Sequence, residues 1–199
     1  MTALERRDTA RRVAFAALLN LVLCAGELAG GFAGHSLSLL LDAVHNLSDE
    51  MALVLLAIAF ARPEGRVSSA LTRIANVGSV VGLVSISVLV AWQALVRLQH
   101  PVAIEAGIVG GVGALAVLGN LGVALILKAP AREHGSVRLA YLHNLGDAGA
   151  SLAPLVAGLV AWLTGYSIFD PLLALGVAGW ILFETWREVR GHSHSGEPH

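Results

Sequence analysis

The chain has 199 residues, of which 56% are hydrophobic and only 14% are charged, and its formal net charge is −1. A soluble domain carries about 25% charged residues, so this composition excludes an ordinary soluble protein and places the chain in a lipid bilayer. The near-zero net charge gives no indication of a nucleic-acid partner, and the single cysteine, Cys24, excludes both an internal disulfide and a CxxC zinc motif.

Six apolar segments are long enough to span a membrane, because a transmembrane helix needs about 20 apolar residues. In chain order they cover residues 13–33, 37–60, 74–96, 102–127, 137–163 and 168–189. Pro154 predicts a kink within the fifth segment, since proline cannot donate the backbone hydrogen bond that a continuous helix needs. Asp170-Pro171 is typical of a helix N-cap followed by proline at the first helical position. The predicted fold is an all-α membrane protein with six transmembrane helices.

The positive charges predict how these helices are oriented. If the six segments cross the membrane alternately, twelve of the thirteen Lys and Arg residues fall on one side, and only Arg97 falls on the other. Cytoplasmic loops are enriched in Lys and Arg, so both termini are predicted to be cytoplasmic. We expect an integral multi-pass protein of the bacterial inner membrane. Residues 1–12 would form a cytoplasmic segment, 13–190 the transmembrane domain, and 191–199 a short cytoplasmic tail that contains histidine.

Two of the predicted spans carry near-copies of one polar motif. The second span contains His-Asn-Leu-Ser-Asp at 45–49, and the fifth contains His-Asn-Leu-Gly-Asp at 143–147. An ionisable side chain at the bilayer centre costs about 2.5–3.5 kcal/mol on insertion scales, so such residues are kept where they are paired or functional. Each motif places His and Asp at i and i+4, on one face of its helix. Antiparallel packing would bring His45 level with Asp147, and Asp49 level with His143.

Two imidazoles and two carboxylates that meet at one point are suited to a transition metal. Zn²⁺ binds tetrahedrally to both ligand types, whereas Mg²⁺ and Ca²⁺ prefer sites made only of oxygen. Two histidines favour zinc, cobalt or cadmium over manganese or magnesium. A single HxxxD motif is equally compatible with a structural contact. Its repetition in two antiparallel spans favours a metal site made of His45, Asp49, His143 and Asp147.

The repeat also fits the order of the spans. Three spans followed by three of reversed orientation, a 3+3 inverted arrangement, is a common plan of transporters, whose substrate binds at the repeat interface near the midplane. Asn20 in the first span and Asn120 in the fourth occupy comparable places. We expect both to form hydrogen bonds between helices rather than to bind the metal.

Further polar residues could assist the site or only stabilise helix packing. Asp42 shares a helix face with His45, so it could line the ion path or orient a ligand, with a structural hydrogen bond as an equal alternative. Glu27 could carry protons, although a paired helix contact is favoured, and Glu50 is turned about 100° away from Asp49. The remaining candidates are two asparagines beside the ligands, and three tail histidines that could collect zinc or simply be solvated: Asn46, Asn144, His192, His194 and His199.

Several of these segments resemble the cation diffusion facilitator family. They are residues 27–31 (Glu-Leu-Ala-Gly-Gly), 36–49, 141–147 and Asp170-Pro171, and the resemblance covers residues 13–190. It implies homodimeric antiporters that move zinc out of the cytoplasm in exchange for protons, with Zn²⁺ as a substrate and not as a cofactor.

In that family the matching residues His45, Asp49, His143 and Asp147 form the transport site. Most members also carry a cytoplasmic metal-binding domain after the last span, and the loop after the second span usually holds a motif that contains histidine. We expect neither here, because residues 191–199 are too few for a domain and the loop of residues 62–73 contains no histidine.

The function expected from the sequence is proton-coupled efflux of divalent transition-metal cations, chiefly Zn²⁺, with Cd²⁺ and Co²⁺ as open alternatives. The protein would then be a secondary transporter and not an enzyme. A zinc-binding membrane subunit that does not transport alone is the main alternative. An uptake carrier of the same architecture would differ only in the direction of flux. A membrane zinc protease is disfavoured, because the chain has no HExxH motif and the site uses all four ligands.

Overall fold

A computed structural model of the protein describes residues 3–61 and 69–194. Side chains are described for all of these except 3, 4, 6, 49, 59–61, 69–76, 79, 188, 189 and 191–194. The described residues form seven α-helices and no strand, and they confirm the predicted all-α fold. The helices are α1 (Ala3–Ala33), α2 (Leu37–Ala61), α3 (Ser69–Gln99), α4 (Ala106–Leu127), α5 (Gly135–Ala150), α6 (Leu152–Thr164) and α7 (Phe169–His194), with a 3₁₀ helix at Pro130–Arg132.

Within the described residues, four helical stretches are long and apolar enough to cross a membrane by length and composition alone. They are Arg7–Ala33, Val80–Gln99, Ala106–Leu127 and Gly135–Thr164. The last of these joins α5 and α6, so the seven helices form six rods, as predicted. The helix α2 is not in this set, and it carries the buried polar residues Asp42, His45 and Glu50. These three side chains are buried among other helices, so α2 needs the bundle around it to lie in a membrane.

The fifth predicted span is divided at Ser151. The helix α5 ends at Ala150, and α6 begins at Leu152. Pro154 has no N–H to donate to the carbonyl of Ala150, so the helical hydrogen-bond ladder is interrupted there. The break therefore lies three residues before the proline that predicts it. It leaves the hydroxyl of Ser151 buried, where Asn120 of α4 donates a hydrogen bond to it over 3.1 Å.

The rods pack in two groups that meet at α2 and between α6 and α7. The helix α1 packs against α2 and α4, α4 packs against α5 and α6, and α3 packs mainly against α7. The helix α2 contacts α1 on one side and α3 and α7 on the other. The approach of α4 and α6 is close, because a Cβ added at Gly158 would collide with the backbone of Gly110. Small residues at such crossings let helix backbones touch, which is typical of packing within a membrane.

The bundle has two ends, which we call the terminus end and the loop end. At the terminus end α1 begins and α7 ends; the loop end carries the connections 34–36, 100–105 and 165–168. At the loop end the carboxylate of Asp170 is fully buried. It accepts hydrogen bonds from the hydroxyls of Ser36 and Ser38, both at 2.6 Å, and from the backbone N–H of Leu37 at 2.8 Å.

Asp170 therefore caps the start of α2, not the start of its own helix. The helix α7 already begins at Phe169, so the prediction of Asp170 as its N-cap is wrong. The first N–H groups of a helix have no partner within that helix. At the buried start of α2 this carboxylate accepts those of Leu37 and Ser38, and the hydroxyl of Ser36 accepts that of Leu39. Arg97 of α3 lies 3.9 Å from the same carboxylate and also donates a hydrogen bond to the carbonyl of His35. Arg97, the one basic residue predicted to lie on the side opposite the other twelve, thus has a buried partner.

Candidate metal site

Three of the four predicted ligands lie together between α2 and α5. The Nε2 atom of His45 is 3.3 Å from Oδ1 of Asp147, and Nε2 of His143 is 3.8 Å from the same oxygen. One donor atom from each residue lies within 4.8 Å of the other two. Tetrahedral ligands about 2.0–2.2 Å from an ion lie about 3.3–3.6 Å from each other. The group therefore needs to contract only slightly to hold one ion.

The local sequence explains this convergence. His143 and Asp147 are one turn apart on α5 and share a face, and α5 runs antiparallel to α2. His45 lies beside Asp147, as the repeat predicts. Asp49 follows His45 by one turn on α2, but its side chain lies outside the described part of the structure. The pairing of Asp49 with His143 stays a prediction.

Two of the three residues are buried, and the third faces open space. The exposed fraction is 7% for His45 and 3% for Asp147, whereas 47% of the His143 side chain is exposed. His143 borders a cavity of about 520 Å³, here called the site cavity. The cavity is lined by residues of α2, α3, α5 and α7, among them Leu83, Trp180, Glu184 and Arg187. Its lining follows α7 from Trp180 to Arg187, toward the terminus end, so the ligands face that end.

The residues of α7 beside the site are absent from the predicted set. The ring of Trp180 lies 6.3 Å from that of His45, and Glu184 is one turn further along α7. An ionisable residue inside a predicted span was the signal that selected the other candidates, and Glu184 carries the same signal. Trp180 carries no comparable signal, because a tryptophan in a membrane helix more often faces lipid.

The helices α1 and α2 are joined by two buried pairs of Asn and Glu. The amide of Asn46 donates to both carboxylate oxygens of Glu27, at 3.0 and 2.9 Å. The amide of Asn20 donates to Glu50 over 3.1 Å. Glu27 thus pairs with Asn46 across the two helices, and Glu50 faces α1. Asn46 stabilises Glu27 and, among the described contacts, makes none to the candidate ligands.

Asp42 and Asn144 lie close to the candidate ligands in sequence and are both buried. Both carboxylate oxygens of Asp42 are without a hydrogen-bond partner among the described residues. Asn144 donates to the carbonyl of Ala140 in its own helix over 2.9 Å. Asn120 bonds Ser151 across helices, as expected. These contacts leave Asp42 as the buried carboxylate on the loop-end side of His45.

Two predictions fall outside the described part of the chain. His192 and His194 lie on α7 without described side chains, and His199 lies beyond the described residues. The loop predicted to lack a metal site, residues 62–73, lies outside them for residues 62–68, and the side chains of 69–73 are not described. Metal capture by the tail and the absence of a loop site both stay predictions.

The fold and its buried polar centre define an integral, multi-pass helical membrane protein. Residues 13–193 match the family model described as the cation efflux transmembrane domain, and the chain belongs to this family. The family resemblance drawn from the motifs is thereby confirmed.

Relatives named as metal transporters are similar along most of the chain. The zinc transporter ZitB of Escherichia coli (strain K12) is 32% identical over 195 residues, which are 94% of this chain and 62% of the relative. Zinc transporter ZitB of Yersinia pestis is 28% identical, over 97% of this chain and 64% of the relative. The cadmium, cobalt and zinc/H(+)-K(+) antiporter of Bacillus subtilis (strain 168) is 27% identical, over 89% of this chain and 61% of the relative. The chain thus spans a little over three fifths of each relative's length.

Proposed function

We propose that the protein exports divalent transition-metal cations, chiefly Zn²⁺, in exchange for protons, as a secondary transporter. The observation that carries the proposal is the convergence of His45, His143 and Asp147 from two antiparallel helices. Asp49, one turn from His45, is the proposed fourth ligand. Two neutral imidazoles and two carboxylates suit Zn²⁺ and cancel its charge in a medium of low dielectric constant. The names of the relatives support the same class of substrate.

The proposed mechanism is competition between metal and protons for the same side chains. Imidazole must be neutral and carboxylate ionised to bind a metal, so protons that reach the site displace the ion. The site cavity opens at the terminus end, and the loop end is closed by contacts of Asp170. The distribution of Lys and Arg supports a cytoplasmic terminus end. In this conformation the carrier would load zinc from the cytoplasm, and protons entering from the other side would release it there.

The remaining parts of the proposal concern assembly and location. We infer a homodimer in a bacterial inner membrane, with both termini cytoplasmic. The relatives from Escherichia coli and Yersinia pestis support a bacterial membrane. The homodimer is inferred only from the family resemblance. Crosslinking of the purified protein in liposomes would test the dimer, and protease protection of a tagged terminus in vesicles would test the orientation.

Transport by the purified protein in liposomes, with a zinc-sensitive dye and an imposed pH gradient, tests the function. We expect Zn²⁺ flux driven by the gradient, and loss of that flux in Asp147→Ala and in Asp49→Ala. Glu105→Ala is the matched control, because it removes an exposed carboxylate at the loop end that makes no cap hydrogen bond to α4. Undiminished flux in Asp147→Ala would overturn the site. Zinc binding without flux in the unaltered protein would favour the non-transporting subunit.

A further inference from the structure

A second carboxylate shares the site cavity with the candidate ligands. Of the described residues that line this cavity, two carry carboxylates, Asp147 and Glu184. Asp147 is buried, whereas 40% of the Glu184 side chain is exposed. Glu184 follows Trp180, the neighbour of His45, by one helical turn, a rise of about 6 Å toward the terminus end. Glu184 therefore lies between the mouth of the cavity and the buried ligands.

Basic side chains are numerous at the end of the bundle toward which this cavity faces. Twelve of the thirteen Lys and Arg residues of the chain belong to the terminus end in the predicted topology. Two of them, Arg187 and Arg190, are exposed on the last turns of α7, and Arg187 itself lines the cavity. Clefts lined by one sign of charge concentrate ions of the opposite sign and repel ions of the same sign. A cation that reaches Asp147 by this route needs a local negative charge on the way.

We propose that Glu184 is the entry residue for Zn²⁺, which captures the partly hydrated cation at the mouth and passes it to His143 and the buried ligands. This inference rests on the proposed function. His143 is the exposed member of the ligand group and lines the same cavity, so it is the next donor that the ion meets. Zn²⁺ accepts carboxylate oxygen together with water, so a single carboxylate can hold it without a complete site.

Arg187 keeps this capture weak enough for the ion to move on. Its Nη2 atom lies 2.9 Å from a carboxylate oxygen of Glu184, so the guanidinium competes with the cation for the same oxygen. A pathway site must bind an ion strongly enough to admit it and weakly enough to release it. When Zn²⁺ arrives, Arg187 moves into solvent, where 68% of its side chain is already exposed. When the ion leaves, the ion pair re-forms.

The test is zinc transport into liposomes as a function of Zn²⁺ concentration. In Glu184→Gln we expect the KM for Zn²⁺ to rise about three- to tenfold with little change in the maximal rate, because capture is weakened and the ligands are intact. Glu184→Asp should recover most of the loss. In Arg187→Gln the KM should fall, since the competitor is gone. Glu133→Gln is the matched control, an exposed carboxylate at the same end that is not among the residues lining the site cavity.

Equilibrium binding of Zn²⁺ to the purified protein separates capture from ligation. Glu184→Gln should bind Zn²⁺ as tightly as the unaltered protein, whereas Asp147→Ala should not.

An unchanged KM in Glu184→Gln, or a rise no larger than in Glu133→Gln, would overturn the proposal. Loss of equilibrium binding in Glu184→Gln would also overturn it, because Glu184 would then be a resident ligand. If Glu184→Gln does not fold, a KM in Arg187→Gln that is unchanged or higher decides against it. Absence of flux in the unaltered protein would refute the proposed function instead.

Discussion

The two ends of the bundle are built by opposite means. At the loop end, directional polar contacts join the connections: Asp170 binds the start of α2, Glu105 donates its N–H to the carbonyl of Gly34, and Ile104 donates its N–H to Ser167. At the terminus end, a cavity of about 520 Å³ separates α5 from α7 and leaves His143 exposed. The loop end is closed by hydrogen bonds, whereas at the terminus end apolar side chains pack α1, α2, α4 and α5 together and leave a cavity between α5 and α7. The candidate site lies between the two ends and faces the open end.

The largest expected effect comes from removing the centre of the closed end. Asp170→Ala deletes the acceptor of the Ser36 and Ser38 hydroxyls and leaves Arg97 without its buried partner. Removing one partner of a buried, charged network costs about 3–5 kcal/mol. We expect a large fall in the melting temperature of the purified protein, measured by loss of the monodisperse peak in size-exclusion chromatography after heating. A melting temperature equal to that of the unaltered protein would show that these contacts do not close the loop end.

Cysteine labelling compares the two ends directly. Cys24 is buried and can be replaced by alanine to give a background without cysteine. In that background Thr185→Cys lies in the site cavity. Leu41→Cys replaces a fully buried residue between the candidate site and the loop end. We expect a hydrophilic maleimide to label Thr185→Cys at least about tenfold faster, because thiol reactivity requires access. Equal rates would contradict the assignment of the open end. Adding Asp170→Ala should raise labelling of Leu41→Cys.

Lowering the pH should weaken Zn²⁺ binding at the candidate site, which lies between the two ends. His45 and His143 bind a metal only in their neutral form, so up to two protons compete with the one Zn²⁺ that they share. We expect the affinity to fall as pH is lowered, by up to about tenfold per pH unit for each proton displaced. Isothermal titration with Zn²⁺ at several pH values, in buffers of different ionisation enthalpy, gives the number of protons released. An affinity independent of pH would exclude histidine ligation and with it the proposed exchange.

The sequence predicts the part of the molecule that depends on local periodicity. Apolar run length finds six rods, but helix ends are misplaced, since α3 begins at Ser69 and α7 continues to His194. Hydropathy detects only the part of a helix that lies in the hydrocarbon core of the membrane, whereas the helix itself can continue beyond it into water. The pairing of His45 with Asp147 is predictable because i, i+4 spacing and antiparallel packing fix it. Asp170 is misassigned because its hydrogen-bond partners are more than 130 residues away in sequence. Glu184 lines the site cavity because of how α7 packs in the bundle, which no short motif specifies.

The smallest expected effect is the difference in melting temperature between two loop-end variants. One removes the charge of Arg97, and the other removes the hydroxyl of Ser38. Arg97 lies 3.9 Å from Asp170 with 19% of its side chain exposed, whereas the Ser38 hydroxyl is buried at 2.6 Å. A partly solvated ion pair at this distance stabilises by less than about 1 kcal/mol, and a buried hydrogen bond to a charged group by about 1.5–3 kcal/mol. Ser38→Ala should therefore lower the melting temperature more than Arg97→Gln. The reverse order would mean that ionic attraction closes the loop end, and closure would then weaken with added salt. If hydrogen bonds close it, the melting temperature of the unaltered protein should change little with salt.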